Sequence, residues 1–270
     1  MIDIDSKFYL TDEQISSFRY KGFIKLRKVL SKEVISYFKP EFSNIVYEHR
    51  KKMLPMAERD TYQQAFIQAE NLWKRNNVAK TFVFGKRLAR MASELLGTNG
   101  IRLYHDQALY KEKGGGFTPW HADQYYWPMS TEKCCTVWIP LQDTNLEMGP
   151  IAFAEGSHKF KKRRNLKISD ESEERIKKSF MEENFPYIEE PFNIGDISFH
   201  YGWTFHRAEK NHTNQNREVM TIIYMDMDMR LKGPENENQA LDRKRWCPGI
   251  EIGQIINSYQ NPILYQSIKF

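Results

Sequence analysis

The sequence predicts a mainly β fold, an antiparallel sandwich or barrel of the jelly-roll kind, with helices packed on its N-terminal side. Three observations carry this. From residue 101 the chain breaks into short segments rich in β-formers, at 101–110, 117–121, 134–141, 151–154, 194–201, 204–208 and 218–225, punctuated by Gly, Pro, Asn and Asp. Strands at this density, with no helical pattern between most of them, argue for a closed or two-sheet antiparallel architecture. Before residue 101, apolar residues recur instead at helical spacing. Finally, 270 residues with 40% hydrophobic and 28% charged side chains make a globular profile, at a length that a single β-rich domain commonly reaches. One domain over 1–270 is therefore expected. It comprises a helical buttress (about 1–100), a jelly-roll core (about 101–226) with a charged insertion (about 159–190), and a C-terminal extension (about 227–270).

Taking the elements in order, Thr11 followed by Gln14 fits a capping box, and Ile15 and Phe18 supply the inner face of a short helix. Gly22–Leu26 has the composition of a short strand. Ser31 is placed to cap a longer helix on which Val34, Ile35, Phe38, Phe42, Ile45 and Val46 share one face. Pro40, near its middle, predicts a kink or break. Leu88, Met91, Leu95 and Leu96 form a third stripe that Gly97 ends. None of these helices carries a constellation of acid, base or ligand, so their expected role is packing. The insertion at 159–190 is polar, charged and partly helical in pattern, long enough for a lid.

Several function classes are disfavoured by composition. No stretch approaches the roughly 18 apolar residues of a membrane span, and the first residues have neither the charge order nor the apolar run of a signal peptide. Of three cysteines, Cys134 and Cys135 are adjacent and Cys247 is remote, so no disulfide framework or zinc knuckle is written here. A cytoplasmic protein is expected, with no membrane partner. The net charge of +5 concentrates in Lys159–Arg164, followed by the acidic run Asp170–Glu174. With no stacking motif beside it, the basic run is expected to be a solvated, mobile loop, and no nucleic-acid partner is expected.

The chemistry begins at Pro119-Trp120-His121-Ala122-Asp123. In an extended segment His121 and Asp123 leave one face, so an imidazole and a carboxylate can point at one atom. That is two thirds of the 2-His-1-carboxylate triad of non-haem iron(II) sites, and a second histidine must complete it. There are seven histidines. His49 lies in a charged helical end and is expected to face solvent. His105 would point away from its neighbour Asp106 on a strand. His158 closes the turn Gly156-Ser157-His158, and His212 lies in a polar turn. His200 and His206 remain, both downstream of Gly195-Asp196, and spacing does not separate them.

A longer ordered pattern surrounds these positions. It runs from Leu10-Thr11-Asp12-Glu13-Gln14 and Gly22-Phe23-Ile24 through Trp120-His121-Ala122-Asp123, Tyr126-Trp127-Pro128 and Trp138-Ile139-Pro140-Leu141. It continues with Gly149-Pro150, Glu155-Gly156-Ser157-His158-Lys159, Gly195-Asp196, His206, Asn211 and Arg217, and includes Trp246-Cys247-Pro248-Gly249. This resembles the phytanoyl-CoA dioxygenase family of iron(II)- and 2-oxoglutarate-dependent oxygenases, over about residues 10–230. The resemblance implies a double-stranded β-helix (jelly-roll, cupin-like) core, Fe(II) as metal, 2-oxoglutarate and dioxygen as cosubstrates, and release of succinate and CO2.

The same resemblance makes His206 the third ligand, leaving His200 to support the pocket. It assigns Arg217, eleven residues past His206, to the distal carboxylate of 2-oxoglutarate. A planar guanidinium suits that role, because it holds a carboxylate through two parallel hydrogen bonds. Trp138 and Gln107 resemble residues bordering the cosubstrate. One departure is Ala208, where the family often has a hydroxyl residue. Since halogenating relatives replace the metal-binding carboxylate, Asp123 implies hydroxylation or a related oxidation of a small organic substrate. Trp120, Tyr125, Tyr126, Trp127, Trp203 and Phe205 are candidates for the substrate pocket, with Arg207 as a charge partner. The alternative, a non-catalytic metal-binding β-barrel, would retain the triad without the clamp that Arg217 provides.

Overall fold

The computed structural model describes residues 2–267; residue 1 and residues 268–270, at the limits of the expected domain, lie outside the described residues. The helical side follows its caps. Thr11 accepts the Gln14 N–H and the Gln14 side chain returns to Thr11, starting helix α1 (Asp12–Lys21). Gly22 ends it at φ 89°, and a Cβ there would meet the His158 ring at 2.3 Å. Strand β1 (Phe23–Leu26) follows. Ser31 caps α2 (Lys32–Arg50), which buries Val34, Ile35, Phe38, Phe42 and Val46, while Ile45 packs at the margin.

Helix α2 does not break at Pro40; it runs through that position. Pro40 and Ser36 are both exposed. The Ser36 carbonyl, deprived of its usual N–H partner, therefore has water within reach. Helix α3 (Thr61–Ala65), strand β2 (Ile67–Glu70) and helices α4 (Leu72–Arg75), α5 (Asn77–Val83) and α6 (Lys86–Leu96) complete the N-terminal part. Helix α6 buries Leu88, Met91, Leu95 and Leu96 and ends at Gly97 with φ 65°, as its spacing predicts.

The strands of the second part fall where composition places them: β3 (Gly100–Tyr110), β4 (Thr118–His121), β5 (Cys134–Pro140) and β6 (Ile151–Ala154). Helix α7 (Asp170–Glu183) and β7 (Tyr187–Glu189) come from the insertion. They are followed by β8 (Ile197–Tyr201), β9 (His206–Ala208), β10 (Val219–Asp226), helix α8 (Glu237–Trp246) and β11 (Ile263–Gln266). A seven-stranded sheet runs β1-β8-β5-β10-β3-β11 with β2 also on β3, and a four-stranded sheet runs β4-β9-β6-β7. Their ladders are antiparallel.

Strand alternation divides the large sheet into two faces. Cys135, Val137 and Ile139 of β5, with Met220, Ile222 and Tyr224 of β10, join the helices in the main core. Thr136 and Trp138 of β5, His200 of β8, Thr221 of β10 and His105, Gln107 and Leu109 of β3 face the other way, onto a cavity of about 260 Å³. The small sheet contributes Thr118, His121, Ile151, His206 and Ala208 to the same cavity.

Lys159–Arg164, expected as a solvated loop, is instead tied down. Arg164 donates to Glu132 (2.6 Å) and the Phe160 carbonyl (3.0 Å) and lies over the Trp203 ring at 4.4 Å. Arg163 reaches Ser179 (3.0 Å) and Lys162 reaches Glu183 (2.8 Å). The acidic run begins a helix, α7, and residues beyond that run, Ser179 and Glu183, are the partners that α7 supplies to the basic one. Among the described residues no helix is long and apolar enough to cross a membrane. The three cysteines are buried and unpaired.

Candidate metal centre

His121 ends β4, and Ala122 (φ −124°, ψ 130°) keeps the backbone extended for one more residue before a 3₁₀ turn starts at Asp123. His121 and Asp123 therefore leave the same face. His206 opens β9 directly opposite His121 in the ladder. Asp123 Oδ1 lies 3.6 Å from His121 Nε2 and 3.5 Å from His206 Nε2, and the ligand atoms of all three lie within 4.8 Å of one another. His206 is buried, whereas His121 and Asp123 keep some exposure toward the cavity.

Each of these groups is oriented from behind. His121 Nδ1 is 2.7 Å from the Pro119 carbonyl, and His206 Nδ1 is 3.0 Å from that of Thr204. An Nδ1–H donated to a carbonyl leaves the Nε2 lone pair free to bind a metal. Asp123 Oδ2 accepts from Thr136 Oγ1 at 2.8 Å and from His200 Nε2 at 3.3 Å, which turns Oδ1 inward. His200 thus holds the carboxylate and stands outside the three-residue group.

Electrostatics favours the metal-binding protonation states. Burial, aided by His206, pushes His121 down to about 4. Burial likewise pushes His206 down to about 4, against the pull of Asp123. Burial alone would raise the Asp123 carboxyl, but His206, His200 and His121 hold it well below the usual carboxylate range. Two neutral imidazoles and one carboxylate are the donor set that suits iron(II) with open positions.

Arg217 lies on the same cavity, 2% exposed. Its backbone is bridged to Lys111 by two 2.9 Å hydrogen bonds, and Nη1 donates to the Gly149 carbonyl at 2.5 Å. Its Nε has no partner, and burial pushes the guanidinium down to about 9. With no acid paired to it, this cation calls for an anion from outside the protein. Trp138 lies 5.7 Å from it. Gln107 also lines the cavity, its carbonyl accepting from Gln68 at 2.6 Å. Opposite Ala208, which carries no hydroxyl, the ladder places Thr118, whose side chain lines the same cavity.

The sequence profile of the family described as Phytanoyl-CoA dioxygenase (PhyH) matches residues 18–219. The chain belongs to this family. It is a non-haem iron(II)- and 2-oxoglutarate-dependent oxygenase. It is 23% identical over 229 residues to a probable alpha-ketoglutarate-dependent hypophosphite dioxygenase of Stutzerimonas stutzeri, covering 80% of this chain and 79% of the relative. To a 2-aminoethylphosphonate dioxygenase of an uncultured bacterium, HF130_AEPn_1, it is 23% identical over 222 residues, covering 80% and 82%. Among solved structures, the carbocyclase SnoK of nogalamycin biosynthesis superposes with a TM-score of 0.77 at 21% identity, covering 94% of this chain and 96% of that one. The shared fold is the cupin-like core.

Within this phytanoyl-CoA dioxygenase family member, the substrate candidates separate. Tyr126, Trp127 and Arg207 line the cavity. Arg207 is already paired, with Glu173 at 3.2 Å and with Glu209. Trp120 and Phe205 lie in another cluster, with Phe180 beneath α7. Each precedes a histidine of the centre, so alternation throws it to the opposite face of its strand. Trp203 sits under Arg164, and the Tyr125 hydroxyl and carbonyl are tied to Asn238 and Gln239 of α8.

His158 accepts a loop-holding role: its Nε2 is 3.1 Å from the Arg19 carbonyl. His49 is half-buried rather than solvent-facing. Sequence reasoning passed over Thr136 and His105, although each shares strand parity with a residue it singled out, Trp138 and Gln107. It had no signal for Glu70, Asp242 and Arg245, which reach the cavity from distant elements, and it singled out Trp246 in the family pattern without giving it a place in the site.

Proposed function

We propose that His121, Asp123 and His206 hold the iron, that Arg217 receives the distal carboxylate of 2-oxoglutarate, and that Trp138 and Gln107 border this cosubstrate. The observation that carries the reading is the buried, acid-free guanidinium of Arg217 on the same cavity as the three ligand groups. When bound, the metal supplies dioxygen activation coupled to conversion of 2-oxoglutarate to succinate and CO2.

The protein's own work is placement. The Pro119 and Thr204 carbonyls aim the two imidazoles, and Thr136 and His200 aim the carboxylate. Arg217 fixes one end of the cosubstrate, and Trp138 and Ile151 keep water from its flank. Thr118 supplies, from the neighbouring strand, the hydroxyl that Ala208 lacks.

The substrate then occupies the face opposite Arg217. With a carboxylate retained at Asp123, the reaction is hydroxylation or a related oxidation of a small organic molecule. The relatives named for hypophosphite and 2-aminoethylphosphonate also bear names of small, hydrophilic molecules. We take residues 1–270 as one domain, and the buried free cysteines suit a reducing cytoplasm. The test is anaerobic addition of iron(II) and 2-oxoglutarate. A weak visible charge-transfer band is expected, followed by succinate once oxygen is admitted. No band and no succinate would overturn the reading.

A further inference from the structure

The cavity wall opposite Arg217 is made by elements that the metal centre does not use. Glu70 of β2, His105 of β3, and Asp242, Arg245 and Trp246 of α8 line it, with Tyr126 beside them. Their charges do not balance. Arg245 is paired to Glu70. Asp242 has no ion-pair partner among the described residues, although burial and the nearby Glu70 push its carboxyl up to about 7. The Arg245 charge, which Glu70 shares, then the Trp246 indole and the Tyr104 hydroxyl favour its ionised form, yet that hydroxyl closes no hydrogen bond. A carboxylate drawn out of water beside a second carboxylate is best stabilised by a cation.

A second, independent feature points to a ligand at the same place. His105 is 5% exposed and lines the cavity, and its Nδ1 has no hydrogen-bond partner. Its ring stacks on Trp246 at 4.5 Å and 22°. Burial pushes this imidazole down to about 3, so it is neutral at working pH. A buried polar ring without a protein partner, on the wall of a cavity, leaves a hydrogen bond for an occupant. The Trp246 ring is already covered, by His105 and by the Arg245 guanidinium at 4.7 Å, which leaves Tyr126 as the aromatic group on this wall for a positive charge.

We propose that this wall is a subsite for a substrate bearing a protonated amine, whose ammonium group pairs with Asp242, with His105 as the neutral hydrogen-bonding group beside it. The assignment rests on 2-oxoglutarate occupying the Arg217 side, which leaves this side to the substrate. An anionic substrate would meet Glu70 and the ionised form of Asp242 with like charge, and a neutral one would leave Asp242 to keep its proton.

The experiment compares butylamine, butanol and butyrate, which are alike in size and differ in charge. Each is titrated calorimetrically into the wild-type protein carrying iron(II) and 2-oxoglutarate without oxygen, and into Asp242→Asn and Asp242→Glu. Butylamine is expected to bind wild type about tenfold or more tighter than either isostere. Asp242→Asn should abolish that preference and Asp242→Glu should keep most of it. Equal binding of the three, preference for butyrate, or an undiminished preference in Asp242→Asn would overturn the subsite. Should Asp242→Asn fail to fold, the wild-type series alone decides. The binding of 2-oxoglutarate, read by its visible band in the same samples, separates the two readings. A band without amine preference removes only the subsite, whereas amine preference without a band keeps the subsite and removes the role given to Arg217.

Discussion

Asp123 is a carboxylate with two different sides. Oδ1 faces the two imidazoles, and Oδ2 is occupied by Thr136 at 2.8 Å and His200 at 3.3 Å. Loss of the Thr136 hydroxyl frees the carboxylate to rotate without changing side-chain volume much. Thr136→Val is therefore expected to weaken iron(II) binding roughly 10- to 100-fold, measured by competition with a chromophoric chelator. Its denaturation midpoint should barely move, since a single such bond is worth only about 1 kcal/mol. Arg217 tests the other end of the cavity. Its guanidinium is buried and donates to one backbone carbonyl, that of Gly149. Arg217→Ala is expected to cost about 2–5 kcal/mol in 2-oxoglutarate binding while iron stays bound. Titration of the visible band measures the first and metal analysis of the desalted protein the second. Loss of iron instead would show that the residue has another task.

At the scale of elements, the short strand β4 bears His121 at its end and stands at the edge of the small sheet. An edge strand leaves half of its backbone groups unpaired. Here α7 pairs them with side chains: Glu173 accepts the Trp120 N–H at 2.8 Å, and Ser172 Oγ donates to the Trp120 carbonyl at 2.9 Å. Glu173 also reaches Arg207 on β9, so one carboxylate ties together the two strands that carry the histidines. Glu173→Ala is expected to lower stability by about 1–3 kcal/mol. It should also speed hydrogen exchange at the Trp120 amide, measured by mass spectrometry of the peptide covering β4. That the insertion is partly helical was legible, because a polar, charged helical pattern is a local feature. Its docking on a strand more than fifty residues earlier was not, since no local pattern encodes a contact at that separation. The same divide explains the metal centre. His121 and Asp123 were legible from two-residue parity, whereas spacing left His200 and His206 unseparated; the family resemblance pointed to His206, which the ladder sets opposite His121.

Across the whole molecule, the density of short strands announced a two-sheet β fold, but not how the helical buttress is fastened to it. Asp106 on β3 is one fastening. Its carbonyl accepts the Asn71 N–H at 2.8 Å and its Oδ1 the Leu72 N–H at 2.9 Å, at the start of α4. The side chain is fully buried and Oδ2 has no partner. Burial consequently pushes the carboxyl up to about 7, while in the unfolded chain it titrates near 3.9. Between roughly pH 4 and 7 the folded protein therefore keeps a proton that the unfolded chain has released. This group's contribution is most favourable at or below about pH 4, declines as pH rises through that window, and is constant above it. The full difference is at most about 4 kcal/mol. Asp106→Asn keeps an oxygen for Leu72 and cannot ionise, so it escapes the decline. Acidification also penalises the buried His105, His121 and His206, whose depressed values resist protonation below about 6.5 in the folded state. That penalty acts on variant and wild type alike and cancels in their difference. The expected result is a stability gap in favour of Asp106→Asn that widens by a few kcal/mol from pH 5 to pH 8, read from denaturant midpoints. A gap that stays constant over this range would mean that Asp106 is ionised in the folded protein throughout, held by the amides of α4 rather than protonated against them.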